Sequence, residues 1–166
     1  MKTHHGHTLE TLSQQRPVLL VFLRHFGCTF CREALRDLAL SKDKIEGGKG
    51  VQMVFVHMSP ADYAEKMLDK YGLTGADHMS DPKCDLYKEM GLSKGTLKQL
   101  FGLRMWTRGF QVGILEGLGV GQQRGDGFQM PGYFVLDKGK VVESYIPKDA
   151  ADHPDFLALA SCGVSY

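Results

Sequence analysis

The sequence predicts an α/β domain with a central mixed sheet. In the first half of the chain, apolar strands alternate with amphipathic helices, which is typical of parallel strand-helix-strand units. Near the C-terminus, residues 132–137 and 140–146 form two further strand patterns separated only by Lys138 and Gly139. Because such a short turn reverses the chain, these last two strands must pair antiparallel.

The first strand is expected over residues 17–24, which are apolar up to the last position. An unbroken apolar run of this length is typical of a strand buried on both faces of its sheet. A helix should follow from Cys28 and Thr29, because apolar residues then recur at helical spacing. The glycines at 47–48 should end it.

The same alternation continues with a strand over residues 51–57 and a helix over residues 59–72 that begins at a proline. Between residues 73 and 128 we expect a helical insertion, with a helix start near Asp81 and a glycine-rich connection over residues 117–127. The C-terminal hairpin follows, and Pro154 should start a last short helix.

Length and composition suit one domain over residues 1–166, since 43% of the 166 residues are hydrophobic. The formal net charge of +1 arises from mixed basic and acidic residues, so neither nucleic acid nor an acidic membrane surface is an expected partner. No apolar run approaches the length of a membrane span, and no secretory core precedes the first strand. These features predict a cytoplasmic protein.

Residues 1–12 are expected to form a flexible tail that carries His4, His5 and His7. These histidines could bind a metal, but histidines on a mobile terminus are more often solvated. Three further histidines lack any spacing typical of a metal site or a catalytic triad, and we expect them to be structural or exposed. They are His57, His78 and His153.

The motif Cys28-Thr29-Phe30-Cys31 stands directly after the first strand, at the expected start of a helix. Free backbone N–H groups and the helix dipole favour an anion there, so the Cys28 pKa should be low. Arg24 and His25 could add positive potential. Cys31 is less than one helical turn away and can attack a mixed disulfide or a sulfenic acid on Cys28. The motif therefore predicts a redox pair in which Cys28 attacks and Cys31 resolves.

Zinc binding is the main alternative for the same two cysteines. A closed zinc site needs four ligands, and the remaining cysteines, Cys84 and Cys162, are isolated in the sequence. A lone cysteine such as Cys84 is most often a buried, unreactive thiol. The cysteine pattern thus favours redox chemistry without a metal or another cofactor.

The succession of strand, Cys-x-x-Cys, helix, strand and helix, with a proline directly before a hairpin, resembles the thioredoxin superfamily. Residues 24–33, 80–92 and 129–137 resemble, more narrowly, the peroxiredoxin-like branch of the AhpC/TSA family, whose relatives include selenoprotein L-like and prostamide synthase-like proteins. The resemblance covers most of residues 10–160. It implies a thioredoxin fold with flanking helices and a helical insertion before the C-terminal hairpin.

By this resemblance, Met130–Pro131 would be a cis peptide facing the redox pair, and Pro131 would contact the substrate. Thr29 would contact the substrate through a hydroxyl near the reacting sulfur, and Arg24 would stabilise the thiolate. The chain departs from typical peroxiredoxins, which have the pattern P-x-x-x-[ST]-x-x-C. Residues 24–28 contain neither the proline nor the hydroxyl residue.

The expected activity is that of an antioxidant oxidoreductase that reduces a hydroperoxide or a related oxidant and is restored by an external thiol such as thioredoxin or glutathione. Two alternatives are a thioredoxin-like protein disulfide oxidoreductase and a non-catalytic thioredoxin-fold or zinc-binding module. A reductase of one organic peroxide would need an apolar pocket. Its candidate residues are Phe101, Met105, Trp106 and Phe110.

Overall fold

The computed structural model of this chain describes residues 1–115 and 125–162, without the side chains at 101, 103–106, 112 and 115. Its centre is a five-stranded sheet with the order β3-β2-β1-β4-β5. The strands are β1 (Val18–Phe22), β2 (Gln52–His57), β3 (Asp77–Ser80), β4 (Gly132–Asp137) and β5 (Lys140–Tyr145).

The pairing of these strands is mixed, as the sequence predicts. β1 lies at the centre and pairs parallel with β2, and β2 pairs parallel with β3. β4 pairs antiparallel with both β1 and β5, so the predicted hairpin is confirmed. Gly132 is opposite Phe22, which brings the start of β4 to the end of β1.

Seven helices surround the sheet within the described residues. They are α1 (Leu9–Gln15), α2 (Thr29–Lys42), α3 (Ala61–Lys70), α4 (Asp85–Glu89), α5 (Leu97–Phe101), α6 (Leu103–Phe110) and α7 (Phe156–Cys162). α2 and α6 continue into short π-helical segments, Asp43–Gly48 and Gln111–Leu115.

Alternate residues of β1 belong to two separate cores. Leu19 and Val21 pack on one face with residues of α2, α3 and α7. Leu20 and Phe22 pack on the other face with residues of α1 and α4. This confirms that the unbroken apolar run is a strand buried on both faces.

The segment expected to be a helical insertion also contains a strand. Residues 77–80 form β3, although the insertion is helical over α4, α5 and α6. The sequence did not indicate this strand, because Asp77, His78 and Ser80 lack the apolar alternation of a half-buried strand. The glycine-rich connection over 117–127 lies, up to Arg124, outside the described residues.

The N-terminal residues differ from the predicted solvated tail. Thr3 is buried, and its N–H donates to the carbonyl of His7 at 2.8 Å. α1 begins at Leu9, where the hydroxyl of Thr8 accepts a hydrogen bond from the Thr11 N–H. Buried Leu12 holds this helix against the core formed with β1 and α4. A seven-residue helix carries too little periodicity to be recognised in a sequence.

Candidate active site

Cys28 is the N-cap residue of α2, and Cys31 lies in the first turn of that helix. The chain reaches this position through a turn after β1, in which the Cys28 N–H donates to the His25 carbonyl at 3.0 Å. Both thiols are free and nearly covered, with relative exposures of 8% for Cys28 and 5% for Cys31. Cys28 and Cys31 therefore lie together at the start of α2, and little of either residue is exposed to solvent.

The surroundings of Cys28 favour its thiolate. A hydrogen bond from the Cys31 thiol is the largest cause that lowers the Cys28 pKa, which falls from 9.0 to about 6. Burial acts in the opposite direction, and the Arg24 charge and the backbone N–H groups of Cys31 and Phe30 lower the pKa further. At neutral pH, this pKa favours the thiolate form of Cys28.

The surroundings of Cys31 favour its neutral thiol instead. Its hydrogen bond to Cys28, its burial and the negative charge of Cys28 all raise the Cys31 pKa well above 9.0. Cys31 therefore stays a thiol while Cys28 is charged. Because oxidation of Cys28 to a sulfenic acid removes that charge, the same step would make Cys31 easier to deprotonate.

Arg24 is the cation of this site and is itself buried. Its Nη1 donates to Sγ of Cys28 at 3.3 Å, and its Nε donates to the carbonyl of Gln129 at 3.2 Å. Nη2 donates to the carbonyl of Gly127. Three acceptors on two segments hold the guanidinium beside the sulfur, in the position expected for a group that stabilises a thiolate.

Residues 1–144 match the profile of the AhpC/TSA family. The chain belongs to the AhpC/TSA family. Members of this family are thiol peroxidases or disulfide oxidoreductases, which supports an oxidoreductase role at that coarse level. Among the described residues, no helix has both the length and the apolar composition to cross a bilayer.

Two curated AhpC/TSA relatives are similar to parts of the chain. Peroxiredoxin-like 2C of Mus musculus is 30% identical over 90 residues, which cover 53% of this chain and 38% of the mouse protein. Prostamide/prostaglandin F synthase of Salmo salar is 26% identical over 150 residues, covering 87% of this chain and 73% of the salmon protein. The match thus spans under two fifths of the mouse relative's length.

A solved structure confirms the thioredoxin fold of this family member. Peroxidoxin BcpB from Mycobacterium tuberculosis superposes with a TM-score of 0.64 and 15% identity, over 98% of this chain and 89% of that chain. The predicted peroxiredoxin-like, prostamide synthase-like resemblance and the central mixed sheet are therefore both confirmed.

The expected cis peptide at Met130–Pro131 is wrong, since no peptide bond of the described residues is cis. The backbone around it follows an extended path: the Met130 N–H donates to the Ser93 carbonyl at 3.3 Å, and Gln129 bridges to Lys94. Trans is also the ordinary preference of an X–Pro bond. Pro131 is nevertheless buried directly before β4, at the end of the sheet where β1 leads into Arg24.

The expectation that His25 adds positive potential is also wrong. Burial, followed by the charges of Arg24 and Arg32, lowers the His25 pKa from 6.5 to about 4. The imidazole is therefore neutral at pH 7. Arg24 remains as the charge that acts on Cys28.

Thr29 is buried at the first position of α2. The π-helical segment after α6 covers it, because a Cβ built at Gly113 would lie 3.6 Å from Cγ2 of Thr29. Phe30 is covered similarly, since a Cβ at Gly109 would lie 3.8 Å from its ring. The end of α6 and the π-helical segment therefore form one wall over Thr29 and Phe30, the residues between the two cysteines.

The structure describes only one side chain of the apolar pocket suggested by the sequence. The Phe110 side chain is largely exposed to solvent and does not contribute to a buried pocket. The side chains of Phe101, Met105 and Trp106 lie outside the described residues.

Two neighbours of the redox pair were not found from sequence. Tyr133 of β4 is buried, and its pKa is raised well above 10.0, by burial first and then by the negative charges of Cys31 and Cys28. Glu33 of α2 is buried and pairs with Arg108 of α6 at 3.0 Å and with His153 at 3.5 Å. Both lie inside segments that carry the family resemblance, residues 24–33 and 129–137, but the sequence alone assigns neither of them a role.

The remaining cysteines lie apart from the pair. Cys84 contacts the sulfur of Met58 at 3.3 Å in the core on the opposite face of the sheet. Cys162 is exposed near the end of α7. Cys84 therefore cannot complete a zinc site with Cys28 and Cys31.

Proposed function

We propose that the chain is a thiol-dependent peroxidase in which Cys28 reduces a hydroperoxide and Cys31 resolves the product. The observation that carries this proposal is the low pKa of a nearly covered Cys28 beside Arg24. A thiolate that is 8% exposed is accessible to a small oxidant more easily than to a folded protein.

The proposed cycle balances over three steps. The Cys28 thiolate attacks the terminal oxygen of ROOH and breaks the O–O bond, which gives a Cys28 sulfenic acid and, after proton uptake, ROH. The Cys31 thiol then displaces water from that sulfenic acid and forms the Cys28–Cys31 disulfide. Two external thiol groups, from two glutathione molecules or from one reduced thioredoxin, restore both thiols and leave as a disulfide.

The remaining residues would position the oxidant. Arg24 would hold the thiolate and face the oxygen that receives negative charge. We assign Thr29, which follows Cys28 at the start of α2, and Pro131, which directly precedes β4, to contact with the substrate. The π-helical wall over Thr29 would favour small hydroperoxides over bulky ones.

The test is a single turnover of the reduced protein with one equivalent of hydrogen peroxide, followed by rapid quench and mass spectrometry. The unaltered chain should lose two hydrogen atoms as the disulfide forms. Cys31→Ser should instead gain one oxygen on Cys28, and Cys28→Ser should not react. Cys162→Ser, which changes a thiol outside the pair, should match the unaltered chain.

A second candidate is disulfide exchange with a protein or a small thiol. It is favoured by one feature: residues 24–28 lack the proline and hydroxyl residue of the typical peroxiredoxin pattern. Oxidation by peroxide no faster than that of a free thiol, together with rapid oxidation by a disulfide, would contradict the peroxidase and support this candidate.

A further inference from the structure

The N-terminal histidines lie against the edge strand β3. The His4 N–H donates to the carbonyl of His78 at 2.9 Å, and the His78 N–H donates to Nδ1 of His4 at 3.2 Å. A turn closed by hydrogen bonds between Thr3 and His7 fixes the intervening residues. His4, His5 and His7 thereby gather at the first residue of β3, Asp77.

Asp77 presents one unsatisfied oxygen to these histidines. The residue is 6% exposed, and its Oδ2 accepts a hydrogen bond from Nε2 of Gln52 at 2.7 Å. Arg16 in turn donates to Oε1 of Gln52 at 3.1 Å, which orients that amide. Oδ1 of Asp77 accepts no hydrogen bond within the described residues. A buried carboxylate oxygen without a hydrogen bond is costly unless a cation satisfies it.

The distances around Oδ1 fit a bound metal ion. Nδ1 of His5 lies 3.3 Å away and Nδ1 of His7 lies 3.8 Å away. Ligand atoms of His4, His5 and Asp77 all lie within 4.8 Å of one another. Metal–ligand bonds of about 2.0 to 2.2 Å place the ligands of a tetrahedral zinc ion roughly 3.4 Å apart. The His5–Asp77 separation has this value, and small movements of the exposed histidines would bring in the others.

The imidazoles around Asp77 lie close together. The rings of His4 and His5 are 3.7 Å apart, and His4 stacks on His78 at 3.8 Å. Next to them, Nε2 of His57 and Nδ1 of His78 share a buried hydrogen bond of 3.0 Å. Imidazole nitrogens and carboxylate oxygens are ligand types that zinc binds in proteins.

We propose that His4, His5 and Asp77 bind one divalent transition metal ion of the zinc class, with His7 or water as a fourth ligand. Gln52 would act as a positioning residue, because it fixes the carboxylate that faces the histidines. The ion would fasten residues 3–7 to β3. No step of the proposed peroxidase cycle uses it.

The test uses the full chain without any added polyhistidine, with Cys28→Ser and Cys31→Ser so that the redox pair cannot bind the ion. Zn²⁺ is titrated against a chromophoric chelator, and Co²⁺ is used to observe the ligand geometry. We expect one ion per chain and the strong visible bands of tetrahedral Co²⁺. Asp77→Asn and His5→Ala should each weaken zinc binding on the order of tenfold or more.

His153→Gln is the matched control, because it removes a histidine from the separate group with Glu33 and Asp37. It should leave zinc affinity unchanged. If Asp77→Asn binds zinc as tightly as the protein that keeps Asp77, the proposal is overturned. The N-terminal histidines would then bind the ion without any ligand from β3. Absence of stoichiometric binding would overturn it as well. His5 is exposed, so His5→Ala remains informative if Asp77→Asn fails to fold.

Discussion

Nη1 of Arg24 lies 3.3 Å from Sγ of Cys28, and both residues are buried. A charge at this distance in a covered site acts on the sulfur with little screening by solvent. The guanidinium cannot easily turn away, because Gly127 and Gln129 accept its other hydrogen bonds through their carbonyls. The ionisation of Cys28 should therefore depend on Arg24.

Arg24→Gln should raise the Cys28 pKa on the order of one unit, because the cation that favours the thiolate is lost. The measurement is the ultraviolet absorbance of the thiolate across a pH titration. Arg16→Gln removes the same charge from a residue that donates to Gln52, far from Cys28 in the chain, and should leave the titration unchanged. An unchanged titration in Arg24→Gln would show that the hydrogen bonds from the Cys31 thiol and the backbone N–H groups lower the Cys28 pKa without help from Arg24.

Alkylation of Cys28 by iodoacetamide should follow its own ionisation. The folded pKa is depressed from 9.0 to about 6, so the rate should rise with pH through a midpoint near 6 and then level off. Cys31 contributes little in this range because its pKa is raised. Cys31→Ala should move the midpoint upward, since it removes the hydrogen bond that is the largest cause of the depression. A midpoint near 9 in the unaltered chain would contradict this description of the site.

His153→Gln should destabilise the fold most in weak acid. The contact with Glu33 raises the His153 pKa. The contribution of His153 to the free energy of unfolding is therefore complete below pH 6.5 and is lost as the pH rises through the folded pKa. Burial alone would raise the Glu33 pKa, but His153 and Arg108 outweigh it and lower the pKa below 4.5. The pairing of His153 with Glu33 therefore stabilises the fold most between pH 4.5 and pH 6.5.

The size of this effect should be on the order of 1 kcal/mol or less, because His153 and Arg108 are partly exposed. Urea unfolding of both proteins at a pH inside that window and at a pH well above it measures the difference. If His153→Gln lowers the free energy of unfolding equally at both pH values, His153 acts through packing on Phe156, on whose ring it stacks.

Gly132→Ala should lower the free energy of unfolding by about 1 to 3 kcal/mol through overpacking. A Cβ at this position would lie 2.5 Å from Cδ2 of Leu92, which is itself buried. Gly47→Ala is the control, since a Cβ there meets nothing within 4 Å. Urea midpoints compare the two. A midpoint for Gly132→Ala equal to that of Gly47→Ala would show that Leu92 moves aside freely.

The sequence predicts the parts of this molecule whose causes are local. β1 is predicted by its apolar run, because burial on two faces requires apolar residues at consecutive positions. Cys28 is recognised as a thiol at a helix start, because the residues that begin a helix are also consecutive. β3 leaves no such pattern. Asp77 and His78 are buried by contacts with residues far away in the chain, among them Gln52 and His4.

The support of Arg24 could not be predicted for a different reason. Gly127 and Gln129 hold the guanidinium through main-chain carbonyls, which every residue type supplies. The expected cis proline failed because it came from family resemblance alone, whereas the local backbone follows the pairing of residues 93–95 with residues 128–130.

The contact of His4 with β3 also bears on how copies of this chain meet one another. β3 is an outer strand of the sheet, and an uncovered outer strand is a template for pairing with another molecule. His4 occupies both the N–H and the carbonyl of His78, so residues 3–7 act as a cover for that border. Residues 3–7 therefore leave fewer free hydrogen-bonding groups on β3 with which a second chain could pair, whatever the chemistry at Cys28.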